Sequence, residues 1–165
     1  MTMGTTDGSF LNDRQMAEAI VGQWAKVGVK VDLKVLDTTT LSAALASRKI
    51  PTQSLLGQIL TSEYDADGIL TTLFYAGTIK GGPPRSVASY VTLPLVDHYL
   101  YKGRSTLDPE VRKEAYRNAL KILRAEVPMV YLFQLEGIYG VSKRLIFKPR
   151  PTQFLYVSEM EFRGP

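Results

Sequence analysis

An α/β fold is what this sequence predicts, and three observations carry the prediction. The first 36 residues of the 165-residue chain read as strand, helix, strand. Short apolar runs then alternate with helical patterns through the middle. A long amphipathic helix in the second half is framed by Asp108-Pro109-Glu110 and Pro128. Strands alternating with helices favour a sheet with helices packed on it.

Each element follows from its own pattern. Residues 1–6 are expected to form a strand. Residues 12–27 fit an amphipathic helix, which Asn12 can cap with Gln15 three positions later. Met16, Ile20, Val21, Trp24 and Val27 fall on one face of it, and Gly28 ends it. Trp24 on that face reads as a core residue. From residue 29 to 36, Val29, Val31, Leu33 and Val35 alternate with Lys30, Asp32 and Lys34, the period of a strand with one buried face. A second helix is expected over residues 39–48 and a buried strand over 54–60. A short helix should follow from about Asp65 to Phe74. The loop GTIKGGPP at 77–84 is too rich in glycine and proline for anything regular. Residues 93–102 look helical with Pro94 in the first turn. The longer helix should run from Asp108 to about Glu126 with Val111, Ala115, Ala119, Ile122 and Leu123 inward. Residues 129–133, 138–141 and 154–162 are expected as short strands.

Composition narrows the function. With 45% hydrophobic and 22% charged residues the chain suits one domain with a real core, residues 1–165. The net charge of +4 is spread along the chain, so no nucleic-acid surface is indicated. No apolar run approaches the ~20 residues of a membrane span, and no signal-peptide pattern opens the sequence. The absence of Cys suits a bacterial cytoplasm or periplasm and excludes a disulfide scaffold.

The stretch TSEYDADG at 61–68 is the chemically densest. Glu63, Asp65, Asp67 and Gly68 match the first half of a calcium loop, but the bidentate Glu at its twelfth position is replaced by Phe74. Zinc and iron lack ligands in a chain with no Cys and one His, His98. No metal or other cofactor is expected. A small enzyme using Glu63, Asp65 or Asp67 as general acid and base stays open as an alternative, as does a protein-interaction domain contacting partners through the Pro-Gly loop and acidic rim. The stretch follows a predicted strand, and strand C-terminal ends are where ligands usually bind in open α/β sheets.

Five segments together resemble a known family. NDRQMAEAIVGQWAKVGVKVDLKVLD, YDADGILTTLF, LPLVDHYL, LDPEVRKEAYRNALKILRAEVPMVYLFQ and IYGVSKRLIFKPRP, read in order, are similar to the C-terminal portion of family 5 extracellular solute-binding proteins. These are receptors of ABC importers for dipeptides, oligopeptides, nickel complexes and related solutes. The resemblance spans residues 5–151. It implies a lobe of the periplasmic-binding-protein type II kind, with a mixed sheet flanked by helices. It further implies non-catalytic capture of a small or peptide-like solute in the periplasm or at the cell surface, and delivery to permease subunits. Members are several times longer, so the resemblance implies the second lobe of a two-lobed receptor, truncated at the N-terminus and lacking the first lobe and signal sequence. In such a lobe the first and last segments, residues 1–6 and 154–162, are expected close together.

The resemblance also assigns the acidic stretch. Peptide-binding members carry a Trp and then an Asp that pairs with the peptide's amino group; Ile59 and Ser62 stand at those places here. Nickel-receptor relatives carry Tyr-Asp-Pro, and Tyr64-Asp65 matches its first two residues, with Leu60 at their Trp. Tyr64 is therefore the first expected solute contact, with Ser62, Thr61 and Glu63 behind it, and Arg85 in reach of an anionic solute. Bland readings stand beside these: Tyr64 packing on the next helix, Asp65 as a helix cap, Arg85 as a solvated surface charge. Asp97 and Arg112 match family positions and read as structural.

Overall fold

The computed structural model describes residues 1–59, 65–150 and 154–164. It opens with the expected unit: β1 (Thr2–Thr5), α1 (Asp13–Lys26) and β2 (Asp32–Val35). β1 and β2 pair in parallel, Thr2 opposite Asp32 through Thr5 opposite Val35. Parallel neighbours need a crossover, and α1 supplies it. α2 (Thr38–Ser47) then leads to β3 (Ser54–Leu55), which pairs in parallel with the other edge of β1 and gives the order β2-β1-β3. The central strand is the buried one, with Met3 and Thr5 at 3% and 0% exposure.

Three details of this half differ from the sequence pattern. Asn12 lies in left-handed backbone (φ 59°) and makes no capping bond; Asp13, one residue on, gathers the donors instead. Ala17 is the apolar residue α1 buries, whereas Met16, Ile20, Val21 and Trp24 are half-buried and Val27 is exposed. The strand expected over 54–60 contracts to β3 and is not buried; its expected end at Leu60 lies outside the described residues. α2 matches its expected span within one residue, and the Asp37 carboxylate caps it by accepting from the Thr40 N–H at 2.8 Å.

The main core forms between α3 (Ala66–Phe74), α4 (Pro94–Arg104) and α5 (Pro109–Glu126). Leu70 and Phe74 of α3, Val96 and Leu100 of α4, and Tyr116, Ala119 and Leu123 of α5 meet there around Tyr75. α5 starts as its sequence requires: Asp108 accepts from the N–H groups of Glu110 (2.9 Å) and Val111 (3.1 Å), and Pro109 needs no acceptor. Its inward face adds Tyr116, while Val111 is 38% exposed.

Beyond α5 the expectations fail in an informative way. Residues 129–133 and 138–141 form no strand, because no neighbouring strand among the described residues offers them a ladder. The strand expected over 154–162 survives only as β5 (Glu161–Phe162), after a 3-10 turn at Val157–Glu159. β5 pairs antiparallel with β4 (Leu145–Ile146) in a separate two-stranded ladder, so the first and last segments do not share a sheet.

Candidate functional site

The C-terminal ends of β1, β2 and β3 lie at one edge of the parallel sheet, followed by residues 6–12, by Leu36 and Asp37, and by residues 56–59. Asp13 organises the first of these loops. It is 1% exposed, and its carboxylate accepts from the Thr6 hydroxyl (2.8 Å) and from the N–H groups of Gly8 (3.0 Å), Ser9 (2.9 Å) and Arg14 (2.8 Å). Burial alone would push this carboxyl up. The donors from Gly8, Thr6, Arg14 and Ser9 outweigh burial and hold its pKa at about 2. Such a carboxylate is saturated and serves as a loop anchor. The Ser9 and Thr38 hydroxyls, 2.9 Å apart, join this loop to the start of α2.

Of the expected solute contacts, Thr61, Ser62, Glu63 and Tyr64 lie outside the described residues. Their C-terminal flank is described, and it is an electrostatic clasp. Asp65 caps α3, accepting from the Asp67 N–H at 2.7 Å, and lies 2.7 Å from Arg112. That backbone bond, and then Arg112, hold its carboxyl below the usual range. Asp67 accepts from the Thr71 hydroxyl at 2.9 Å and sits 3.7 Å from Arg104. Arg112 also donates to the Gly103 carbonyl at 2.9 Å and stands over the Tyr116 ring, 5.0 Å from its centroid. Two acids and two arginines thus close the junction of α3, α4 and α5. Asp65 is held as an anion at neutral pH, which suits it to capping and pairing and not to proton donation.

Arg85 is described, and its partners are its own loop. Nε donates to the Ala76 carbonyl (3.1 Å), and Nη1 donates to the carbonyls of Ser89 (3.2 Å) and Val91 (3.3 Å). Nη2 donates to the Thr92 hydroxyl. Among the described residues, one of its five N–H groups finds no acceptor. Arg48 reaches the same loop from the end of α2, donating to the Ser89 carbonyl at 2.9 Å and standing 4.7 Å over Tyr90. From the other side, the fully buried Asp97 accepts from the Ala76 and Thr78 N–H groups, both at 2.7 Å, and from the Thr78 hydroxyl at 2.8 Å. Gly77 (φ +73°) is needed where the loop folds back, since a Cβ there would lie 2.6 Å from the Arg85 nitrogen. The Gly-Pro loop is therefore tied on both sides.

Asp97 and Arg112 hold backbone together, the structural role that their positions implied. Asp13, Arg48, Arg104 and Tyr116 were not singled out by sequence. For Asp13 a signal existed, a carboxylate at the start of an apolar-periodic run just after a Thr-Asp-Gly-Ser turn. Among the described residues, no three His, Asp or Glu side chains converge in a way that would hold a metal ion. No described helix is long and apolar enough to cross a membrane. An open groove of about 460 Å³ runs along α5, lined by Ala66, Tyr116 and Leu120 together with Lys113, Arg117, Lys121 and Arg124.

No protein-family model matches the chain. Protein XP55 of Streptomyces lividans is 35% identical over 85 residues, covering 52% of this chain and 15% of XP55. A dipeptide-binding protein from Pseudoalteromonas sp. SM9913, solved with Met-Leu, superposes with a TM-score of 0.60 at 23% identity over 78% of this chain. NikA from Brucella suis, solved with Fe(III)-EDTA, superposes at 0.57 and 18% identity over 76% of this chain. The chain spans about a quarter of either solved protein. These likenesses establish the fold: a mixed α/β architecture shared with part of the two solved proteins.

Proposed function

We propose that these residues form the second lobe of a solute-binding component of an ABC importer, acting outside the cytoplasmic membrane by capture and release without chemistry. The observation that carries this reading is the fold, shared over more than three quarters of the chain with two proteins solved holding small ligands. The engagement of Asp65 by Arg112 and of Asp67 by Arg104 favours structural pairing over acid–base chemistry at these two residues and supports the reading. The tied Gly-Pro loop supports a rigid lobe over a pliable interaction domain. Permease subunits and a first lobe are the partners this reading requires.

Solute contact falls in this reading to Tyr64, with Ser62, Thr61 and Glu63 beside it, and to the remaining N–H of Arg85. Ser62 sets the expected selectivity. A buried ammonium without its carboxylate loses about 3–5 kcal/mol, more than a hundredfold in affinity. Free peptide amino-termini should bind poorly, whereas the Ser62 and Tyr64 hydroxyls can donate to neutral or anionic groups. Calorimetry on the longer protein that this reading implies, against dipeptides, sugars, opine-like conjugates and metal chelates, tests the assignment. The expected result is a preference outside the dipeptides, weakened at least tenfold by Tyr64→Ala. Tight dipeptide binding indifferent to Tyr64→Ala overturns the site.

A further inference from the structure

The four cations that line the groove of α5 stand on one stripe of the helix. Lys113, Arg117, Lys121 and Arg124 are spaced by four, four and three residues, so they fall within about 80° of the helix circumference and along about 17 Å of its length. All four are exposed, while Ala115, Tyr116, Ala119 and Leu123 take the buried face. Their charge is little compensated. Arg117 lies 2.7 Å from Glu114, and Lys121 donates to the Asn118 side-chain oxygen at 3.2 Å. Lys113 and Arg124 form no ion pair among the described residues. Glu110 also lies near the stripe, in the first turn of α5; from Arg117 to Arg124 the stripe carries three cations and no acid.

A basic stripe selects an anionic occupant, and its apolar content selects which one. Of the large apolar side chains lining the groove, Leu120 is 47% exposed and Tyr116 5%. A docked peptide or helix needs a buried apolar anchor at its centre, and one half-open leucine supplies too little. A second copy of the chain repels: it carries the same net charge of +4, and among the described residues no three acids converge. A bilayer of anionic phospholipid asks only that the cations reach one plane. A straight stripe on a helix does that, with the long Lys and Arg stems holding their charged heads in the headgroup layer. We infer that α5 docks the protein on the anionic headgroup surface of a lipid bilayer through Lys113, Arg117, Lys121 and Arg124. The inference rests on the reading above only for place, a protein working outside the cytoplasmic membrane; the stripe itself is independent of any solute.

Vesicle flotation of the 165-residue chain tests the docking face. At about 50 mM salt the chain should bind vesicles of phosphatidylglycerol and phosphatidylcholine in equal parts, ignore phosphatidylcholine alone, and let go at about 500 mM, where screening shortens the attraction. A basic residue near an anionic surface is worth about fivefold in partitioning, so Lys121→Gln with Arg124→Gln should bind roughly twentyfold more weakly. Lys26→Gln with Lys49→Gln, exposed and outside α5, removes the same charge and should change binding less than about threefold. Both pairs should keep the Tm within about 2 °C, which separates lost docking from lost folding. Equal loss in the two pairs, equal binding to neutral vesicles, or duplex DNA bound more tightly than the vesicles overturns the proposal. So does capture of an acidic amphipathic helical peptide that Leu120→Ser abolishes, with the vesicles left unbound, which hands the face to a protein. Solute calorimetry is read separately. Vesicle binding without solute capture keeps the docking face and removes the receptor; solute capture by a protein that ignores anionic vesicles does the reverse.

Discussion

Gly103→Ala is a substitution whose sign the packing decides. Gly103 lies in the last turn of α4, where replacing Gly by Ala ordinarily stabilises a helix by up to about 1 kcal/mol. Here a Cβ would stand 2.7 and 2.8 Å from the Cε1 and Cζ atoms of Tyr116. The ring cannot easily withdraw: Tyr116 is 5% exposed, and Arg112 stands over it while donating to the Gly103 carbonyl. Overpacking of this kind costs about 1–3 kcal/mol, and moving the ring also disturbs the Arg112–Asp65 pair. The balance is a loss of about 1–2 kcal/mol, or roughly 3–6 °C in Tm for a chain of this size. Gly22→Ala is the control, since nothing lies within 4 Å of its Cβ position in α1; it should gain about 0.5–1 kcal/mol. Urea unfolding of Gly103→Ala, Tyr116→Leu and the double variant isolates the contact, with a coupling of at least about 1 kcal/mol expected. A Gly103→Ala protein as stable as the parent, or additive with Tyr116→Leu, refutes the packing.

Three more outcomes follow from buried groups. Asp97→Ala strands two N–H groups and a hydroxyl and should cost about 2–5 kcal/mol by urea unfolding, with Asp97→Asn recovering part of it. Asp13 is depressed from 3.8 to about 2 in the folded state, so its contribution is full above pH 4 and fades as pH falls toward 2. Asp13→Asn should therefore be less stable at pH 7 and flatter between pH 4 and 2 in acid titrations followed by circular dichroism. Among the described residues the buried Tyr116 hydroxyl makes no hydrogen bond of good geometry, and burial, followed by the nearby Asp67 carboxylate, pushes its pKa up. Tyr116→Phe should leave thermal stability unchanged or slightly higher.

The helices were legible because caps and periodicity are local: Asp108-Pro109-Glu110 starts α5 within its own sequence, and Asp65 caps α3 as its type allows. The parallel opening was legible because β1, α1 and β2 are consecutive. Asn12 misled because capping propensity is shared by Asn and Asp, and the choice was made by the turn at Thr6 to Ser9 that delivers donors to Asp13. Residues 129–133 misled differently. An unbroken apolar run records a need for burial and does not by itself supply a neighbouring strand. At the candidate site, Arg85 reads as a free cation in sequence because its acceptors are carbonyls, which any residue supplies. Tyr116 was passed over because its neighbours Glu114 and Arg117 make the segment look solvated.

Capture without conversion is the central claim, and the most direct measurement is the fate of a bound solute. The longer protein that the proposed reading implies is saturated with the best-binding member of the panel and incubated for hours at working temperature. It is then denatured, and the released small molecule is weighed by mass spectrometry. The account predicts one solute per protein, recovered chemically unchanged. Recovery of a cleaved or otherwise altered product, abolished by replacing Glu63, Asp65 or Asp67, would contradict it and make the acidic stretch a catalytic centre.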